Sequence, residues 1–332
     1  MTNTITACKN KVLDGESLTR DDALALLRTG EPDALFSAAD ELRARFCGNR
    51  FDLCTIVNGK SGRCTEDCRY CAQSCHYPAG VESYPLLDGD QLLEGAAYNA
   101  RKGVLRYSVV TSGRRLSDGE TATLCESYRR MRDAGGIALC ASHGLLTYEQ
   151  LRALKEAGVT RYHNNLETSR RFFPSICTTH TYDDKLRTIR DAQRAGLRVC
   201  SGGILGLGET EEDRVDLALE LRELGIRSVP LNVLNPIPGT PLAGRPILSE
   251  EEVCRAAAVF RFLLPEAEIR LAGGRGLLPD RGRRVFRAGA NAAITGDMLT
   301  TAGVGIDEDK AMVRELGFEV AEADEGSKVC TK

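Results

Sequence analysis

From about residue 52 onward, short apolar runs alternate with longer stretches in which apolar residues return every three or four positions. The short runs fall at 53–57, 105–110, 137–141, 159–163, 197–201, 227–233, 268–272 and 291–295. Runs of that length predict buried strands. The periodic stretches predict amphipathic helices near 89–101, 118–134, 147–157, 181–195, 210–224, 249–263 and 280–288. Strands and helices in strict alternation imply a parallel sheet, and eight such units closing on themselves make an α/β fold of the (β/α)8 TIM-barrel type. Ahead of it, residues 1–50 predict a helical extension: Thr19 caps a helix carrying Leu24, Leu26 and Leu27, and a second runs from Asp33 to Phe46. The division expected is therefore an extension at 1–50, a barrel at 51–318 and an acidic, loose tail at 319–332.

Composition narrows the possible partners. The net charge is −3, and the basic residues form no run longer than Arg281 to Arg284, so neither nucleic acid nor an anionic membrane is the expected partner. The first ten residues contain no apolar h-region, and no apolar run approaches the roughly 20 residues that span a bilayer. A cytoplasmic protein is expected. Thirteen cysteines in a reducing compartment point to metal or redox chemistry rather than disulfides.

Three of those cysteines, Cys64, Cys68 and Cys71, stand at C-x3-C-x2-C spacing directly after the first strand. In a barrel, that is the C-terminal mouth, where such folds carry their chemistry. Three thiolates can hold three corners of a cubane 4Fe-4S cluster and leave the fourth iron open to a ligand. Cys75 follows at x3, so a closed four-thiolate site, ferredoxin-like or zinc, is the competing arrangement; no second C-x2-C knuckle supports zinc. With Ala72 and Gln73 behind it, the triad resembles the radical S-adenosylmethionine (SAM) superfamily. That resemblance implies SAM on the open iron and release of a 5′-deoxyadenosyl radical.

A second set of cysteines lies on the strands: Cys54 on the first, Cys140 on the third and Cys200 on the fifth, with Arg270 on the seventh. Barrel interiors fill in layers of four side chains drawn from alternate strands. These four could therefore meet at one level and hold a second iron–sulfur cluster of uncertain nuclearity. The alternative is that the cysteines are small buried hydrophobes. Cys47 is a weaker candidate, while Cys8, Cys125, Cys177, Cys254 and Cys330 read as structural or exposed.

From about residue 40 to 318 the chain resembles the biotin synthase family. The stretches that carry the likeness include Asn58-Gly-Lys-Ser-Gly-Arg-Cys64, Tyr162-His-Asn-Asn-Leu-Glu-Thr-Ser169, Val199-Cys-Ser-Gly-Gly-Ile-Leu-Gly-Leu-Gly-Glu209 and Ile269-Arg-Leu-Ala-Gly-Gly-Arg275. The resemblance implies a homodimeric barrel that inserts sulfur from an auxiliary cluster into dethiobiotin, with electrons from a donor such as flavodoxin or ferredoxin. It implies Cys140, Cys200 and Arg270 as auxiliary-cluster ligands. The family's fourth ligand, a cysteine on strand two, is Ser108 here, and Cys54 is the expected replacement. Asn165 and Asn232 match the substrate's hydrogen-bonding partners; two amides suit a ureido ring, which offers donors and acceptors together. Tyr70, Glu167, Gly203, Ile204, Gly206 and Glu209 match the SAM-binding positions. His163 and Asn164 stand in exchanged order relative to the family. A maturase-type enzyme of the same branch and a non-catalytic iron–sulfur electron carrier are the rival readings; the carrier would need neither the 202–209 stretch nor the asparagines, and the maturase is not expected to have the asparagine pair.

Overall fold

The computed structural model describes residues 2–301 and 303–321. Three helices come first: α1 (Thr2–Leu13), α2 (Arg20–Leu27) and α3 (Pro32–Cys47). The alternating region follows as β1 (Arg50–Lys60), α4 (Gly89–Arg101), β2 (Arg106–Thr111), α5 (Asp118–Ala134), β3 (Ala138–Ser142), α6 (Tyr148–Glu156), β4 (Arg161–His163) and α7 (Tyr182–Arg194). It continues through β5 (Arg198–Cys200), β6 (Gly203–Leu205), α8 (Glu211–Glu223), β7 (Ser228–Val233), α9 (Glu250–Leu263), β8 (Glu268–Leu271), α10 (Arg283–Phe286) and β9 (Ala292–Ile294). Last come α11 (Ile306–Glu315) and β10 (Glu319–Val320). Helix starts are sharply encoded: α2 and α4 through α9 each open with a capping box, in which a Ser, Thr or Asp side chain and the residue three positions on bond each other's backbone N–H.

The strands pair in parallel in the order β1-β2-β3-β4-β5-β7-β8-β9, and β9 pairs back onto β1. The sheet is therefore a closed eight-stranded (β/α)8 barrel, as the alternation predicts. α1 and α3 pack against α9, and α2 against α8 and α9, so the extension covers the helical ring on one side. No helix among the described residues is long and apolar enough to cross a membrane.

Three local departures have physical reasons. The fifth barrel strand stops at Cys200 and resumes as β6 after Gly202, where the chain runs against β7 so closely that a Cβ would lie 2.0 Å from the Pro230 carbonyl oxygen. The helix expected at 280–288 shrinks to α10, between Gly282 (φ 93°) and Gly289 (φ 103°). The tail does not start at 319: Glu319 and Val320 pair with Arg50 and Phe51. Phe318 anchors them, its ring 5.3 Å from Phe51 and beneath the Arg43 guanidinium at 4.6 Å. Residues 322–332, and with them Cys330, lie outside the described residues.

Both faces of the barrel strands are enclosed, but they differ in chemistry. Leu53, Tyr107, Val109, Leu139, Ala141, Val229, Leu231, Ile269 and Leu271 are buried in the apolar core between sheet and helices. The alternate residues, among them Cys54, Arg106, Ser108, Cys140, Arg161, His163, Cys200 and Arg270, line the interior cavity instead.

Candidate active site

The loop after β1 is built by its own backbone. Cys64 N–H donates to Gln73 O at 3.0 Å, Cys75 N–H to Cys64 O at 2.8 Å and Cys71 N–H to Cys68 O at 2.9 Å. Its entry needs Gly62: φ is 72°, and a Cβ there would sit 2.1 Å from Ser83 Oγ. The Gln73 side chain accepts the Gly62 N–H at 3.0 Å, closing the loop across its base. On the far side, the Asp67 carboxylate accepts the N–H groups of Thr178 (2.8 Å) and Thr179 (3.1 Å), tying the loop to the segment after β4. Cys64, Cys68 and Cys71 are half-buried and Cys75 is exposed. Burial pushes the Cys71 thiol up to about 11 and raises Cys64 as well. Such thiols ionise when a metal cation supplies the compensating charge.

Below this loop lies a cavity of about 350 Å³ inside the barrel. Strand register fixes the level of the residues that line it. Cys54 pairs with Arg106 while Ser108 pairs with Cys140, so crossing from β1 to β3 gains two residues. The same gain separates Cys140 from Cys200, Cys200 from Arg270, and Arg270 from Cys54. Four such steps make the shear of eight found in this class of barrel, so Cys54, Cys140, Cys200 and Arg270 form one layer. Ser108, His163, Pro230 and Ile294 lie just above them, toward the mouth; Arg106, Arg161, Ser228 and Ala292 lie just below. Ser108 is therefore not level with Cys54, whose place on β1 is one interior position below Ile56, the register partner of Ser108.

The layer is strongly charged. Arg270 Nη2 donates to Asp52 Oδ1 at 2.7 Å, and Arg106 Nε to Asp52 Oδ2 at 3.3 Å. Arg161 Nη1 donates to Glu268 at 2.9 Å and to Ser228 Oγ at 2.9 Å, while its buried Nε has no partner among the described residues. Ser228 Oγ donates to Cys200 Sγ at 3.3 Å. Burial opposes ionisation of Cys200, but the neighbouring His163 and the charges of Arg161 and Arg270 bring its thiol down to about 7. Cys54 shows the opposite balance: burial outweighs Arg270 and pushes its thiol up to about 12.

Toward the mouth, Tyr70, Glu167, Ile204, Asn165 and Asn232 line the same cavity as Cys71. Glu167 adopts φ 71°, and its buried Oε2 has no hydrogen-bond partner among the described residues. Such strain and an open acceptor belong to a site that receives a donor. Burial and the Glu167 charge hold the Tyr70 phenol well above its ordinary value. Asn165 Oδ1 accepts the Gly202 N–H at 3.0 Å, and its Nδ2 bonds none of the described residues. Asn232 bridges Gly203 O (3.1 Å) and Gly273 N–H (2.9 Å). Gly203 supports from behind, since a Cβ would lie 2.5 Å from Glu167 O. Gly206 and Glu209 do not line the cavity: the Glu209 carboxylate accepts the N–H groups of Gly206 (2.8 Å) and Gly208 (3.0 Å) and pairs with Arg214, so it closes the turn before α8.

Several residues were not singled out in the sequence. Asp52, Arg106 and Arg161 surround the layer, and Lys185 Nζ stands 3.8 Å from Glu167 Oε1. For Arg106 and Arg161 the signal was a charged side chain on an otherwise apolar strand, in register with the interior cysteines Cys54 and Cys140. Asn164, by contrast, donates to Gly144 O at 3.0 Å. Cys47 lies away from the cavity, its sulfur accepting from the buried Arg261 at 3.2 Å. Cys8, Cys125 and Cys254 are buried in helices. Cys177 is different: its sulfur lies 3.8 Å from that of Cys68.

Together, the barrel and the three-cysteine loop at its mouth define a radical SAM enzyme, and residues 59–221 match the description "Radical SAM superfamily". Residues 230–319 match "Biotin and Thiamin Synthesis associated domain". Biotin synthase of Akkermansia muciniphila is 58% identical over 312 residues, covering 94% of this chain and 97% of its own. Biotin synthase 2 of Corynebacterium diphtheriae is 54% identical over 319 residues, 96% of each chain. The chain belongs to the biotin synthase family. Among solved structures, methylornithine synthase superposes with TM-score 0.80 at 21% identity, covering 95% of this chain and 98% of that one. The FeFe-hydrogenase maturase from Carboxydothermus hydrogenoformans gives 0.80 at 16%, covering 95% and 78%. These two likenesses concern the fold.

Proposed function

We propose that this chain forms biotin by inserting sulfur into dethiobiotin, with substrate held between two iron–sulfur clusters in one cavity. The observation that carries the reading is continuity: Cys71 and Tyr70 at the mouth and the Cys54, Cys140, Cys200 and Arg270 layer beneath line a single space. Cys64, Cys68 and Cys71 would hold the 4Fe-4S cluster. When bound, that cluster and SAM supply a primary carbon radical able to break unactivated C–H bonds, which no side-chain base could deprotonate.

The chain's own residues fit these groups. The open Glu167 Oε2 suits a hydroxyl of the SAM ribose, and Tyr70 and Ile204 flank that position. Asn165 Nδ2 and the remaining donor and acceptor capacity of Asn232 suit a ureido ring between mouth and layer. Cys54, Cys140 and Cys200 would ligate the auxiliary cluster. Arg270 is already committed to Asp52 and carries a charge raised well above its ordinary affinity for a proton, first against burial and then by Asp52. A protonated guanidinium has no free lone pair, so Arg270 acts here as a charge and hydrogen-bond partner to cluster sulfide. Around the layer, Arg106, Arg161 and Arg270 outnumber Asp52 and Glu268, which suits a site that gathers thiolates and sulfide. The enclosed barrel excludes water from a radical intermediate.

A cytoplasmic homodimer drawing electrons from flavodoxin or ferredoxin completes the proposal. The test is anaerobic incubation of the reconstituted chain with SAM, reductant and dethiobiotin. Biotin formed together with 5′-deoxyadenosine supports it; SAM cleavage without biotin points to another reaction of the radical SAM class.

A further inference from the structure

Behind the cluster loop lies a buried chain of polar groups that neither ligation nor substrate binding uses. Cys177 Sγ stands 3.8 Å from Cys68 Sγ, His180 Nδ1 3.3 Å from Cys177 Sγ, and Glu66 Oε2 2.5 Å from His180 Nδ1. Thr179 Oγ1 donates to the same Glu66 oxygen at 2.9 Å and stands 3.6 Å from Cys177 Sγ. Cys177, His180 and Glu66 are all buried, at 4%, 7% and 7% exposure. The Phe173 ring seals the outer side, edge-on to His180 at 5.6 Å.

We propose that Cys177, held by His180 and Glu66, is a positioning residue that hydrogen-bonds the Cys68 thiolate and raises the reduction potential of the loop's cluster. This rests on the reading that Cys64, Cys68 and Cys71 hold that cluster. A thiolate bound to iron can only accept, so the proton between the two sulfurs must sit on Cys177. His180, whose Nδ1 proton lies toward the Glu66 carboxylate, packs its ring edge against the Cys177 sulfur and fixes it from behind, as outer partners fix ligands at metal sites. A donor to a cluster sulfur favours the state with more negative charge, which is the reduced one. Enclosure strengthens that bond. No proton is transferred; one electron enters the cluster, and the hydrogen bond shifts how readily it does so.

The proposal is tested by redox titration of the anaerobically reconstituted full chain, following the cluster by electron paramagnetic resonance. A reducible 4Fe-4S cluster in the unaltered chain supports the ligation reading, independently of any variant. Cys177→Ala is expected to keep its iron but hold roughly tenfold less reduced cluster at a fixed potential, a shift of about 59 mV for one electron. Cys177→Ser, whose hydroxyl also donates, should recover most of that shift. His180→Ala, which leaves the thiol but removes its support, should move the potential in the same direction by less. If Cys177→Ala fails to load, His180→Ala carries the test alone. An unchanged potential in the loaded variant overturns the proposal. So does loss of a single iron from an otherwise intact cluster in Cys177→Ala, since Cys177 would then be a ligand.

Discussion

Arg270 and Asp52 form a salt bridge of 2.7 Å within the barrel, each side chain no more than 5% exposed. Burial alone would raise the aspartate, but Arg270, Arg106 and Arg161 hold its carboxyl well below the usual range. Removing the charge of Asp52 would leave two enclosed guanidiniums short of a partner. Asp52→Asn should therefore lower the stability of the cluster-free chain by about 3 kcal/mol, read as a fall in the urea midpoint. A change within experimental error would show that the arginines find other partners.

Cys54 is the one thiol of the layer that the family resemblance does not supply. Cys54→Ala should lose the iron and sulfide of the second cluster and keep those of the loop cluster, as measured by chemical analysis and Mössbauer spectroscopy. An unchanged second cluster would remove Cys54 from the ligand set. Ser108→Cys in the same background asks whether the neighbouring level can substitute: Ser108 is in register with Cys140, so partial recovery is expected.

In the loop, Cys75 differs from the other three cysteines in its exposure. Cys75 is exposed and its backbone N–H serves the Cys64 carbonyl. Cys75→Ala should retain the full loop cluster, whereas Cys71→Ala, altering a thiol that lines the cavity, should lose it. Equal loss in both variants would indicate a closed four-thiolate site.

His143 couples stability to pH. It is fully enclosed, with Thr111 Oγ1 3.0 Å from Nδ1 and Tyr128 Oη 3.0 Å from Nε2. Burial brings its pKa down to about 3 from the ordinary 6.5. Below pH 6.5 the unfolded chain takes up a proton that the folded chain refuses, so stability falls on acidification until about pH 3. At pH 5 the loss relative to pH 7 should be about 2 kcal/mol. His143→Gln should remove that part of the pH dependence in urea titrations of the cluster-free chain. An identical pH profile in the variant would contradict this.

How much of this was legible beforehand follows from what each pattern encodes. The alternation of apolar runs with amphipathic stretches fixes a parallel barrel, because few other arrangements bury both. The cysteine triad was legible because its spacing is local. The interior layer was half legible: cysteines on alternate strands suggested convergence, but its level depends on the register of eight strands, a property of the closed sheet that no local stretch carries. Asp52, Arg106 and Arg161 were missed for the same reason. They become meaningful once the inward face of each strand is known. Glu209 shows the converse, a residue conspicuous in a motif whose carboxylate closes a turn. Cys177 reads as structural in the sequence, and its place beside Cys68 follows from the fold, where Asp67 ties the loop to the 177–180 segment.

The central claim is that a sulfonium cofactor at the mouth and a sulfur-bearing cluster below act on one substrate between them. The most direct measurement is isotopic: load the auxiliary site with 34S-sulfide, run a single anaerobic turnover of dethiobiotin, and weigh the biotin by mass spectrometry. The account predicts biotin carrying the heavy isotope in the chain with Cys54, Cys140 and Cys200, and none when Cys140→Ala empties that layer. Unlabelled biotin, or labelled biotin from the emptied layer, would contradict it.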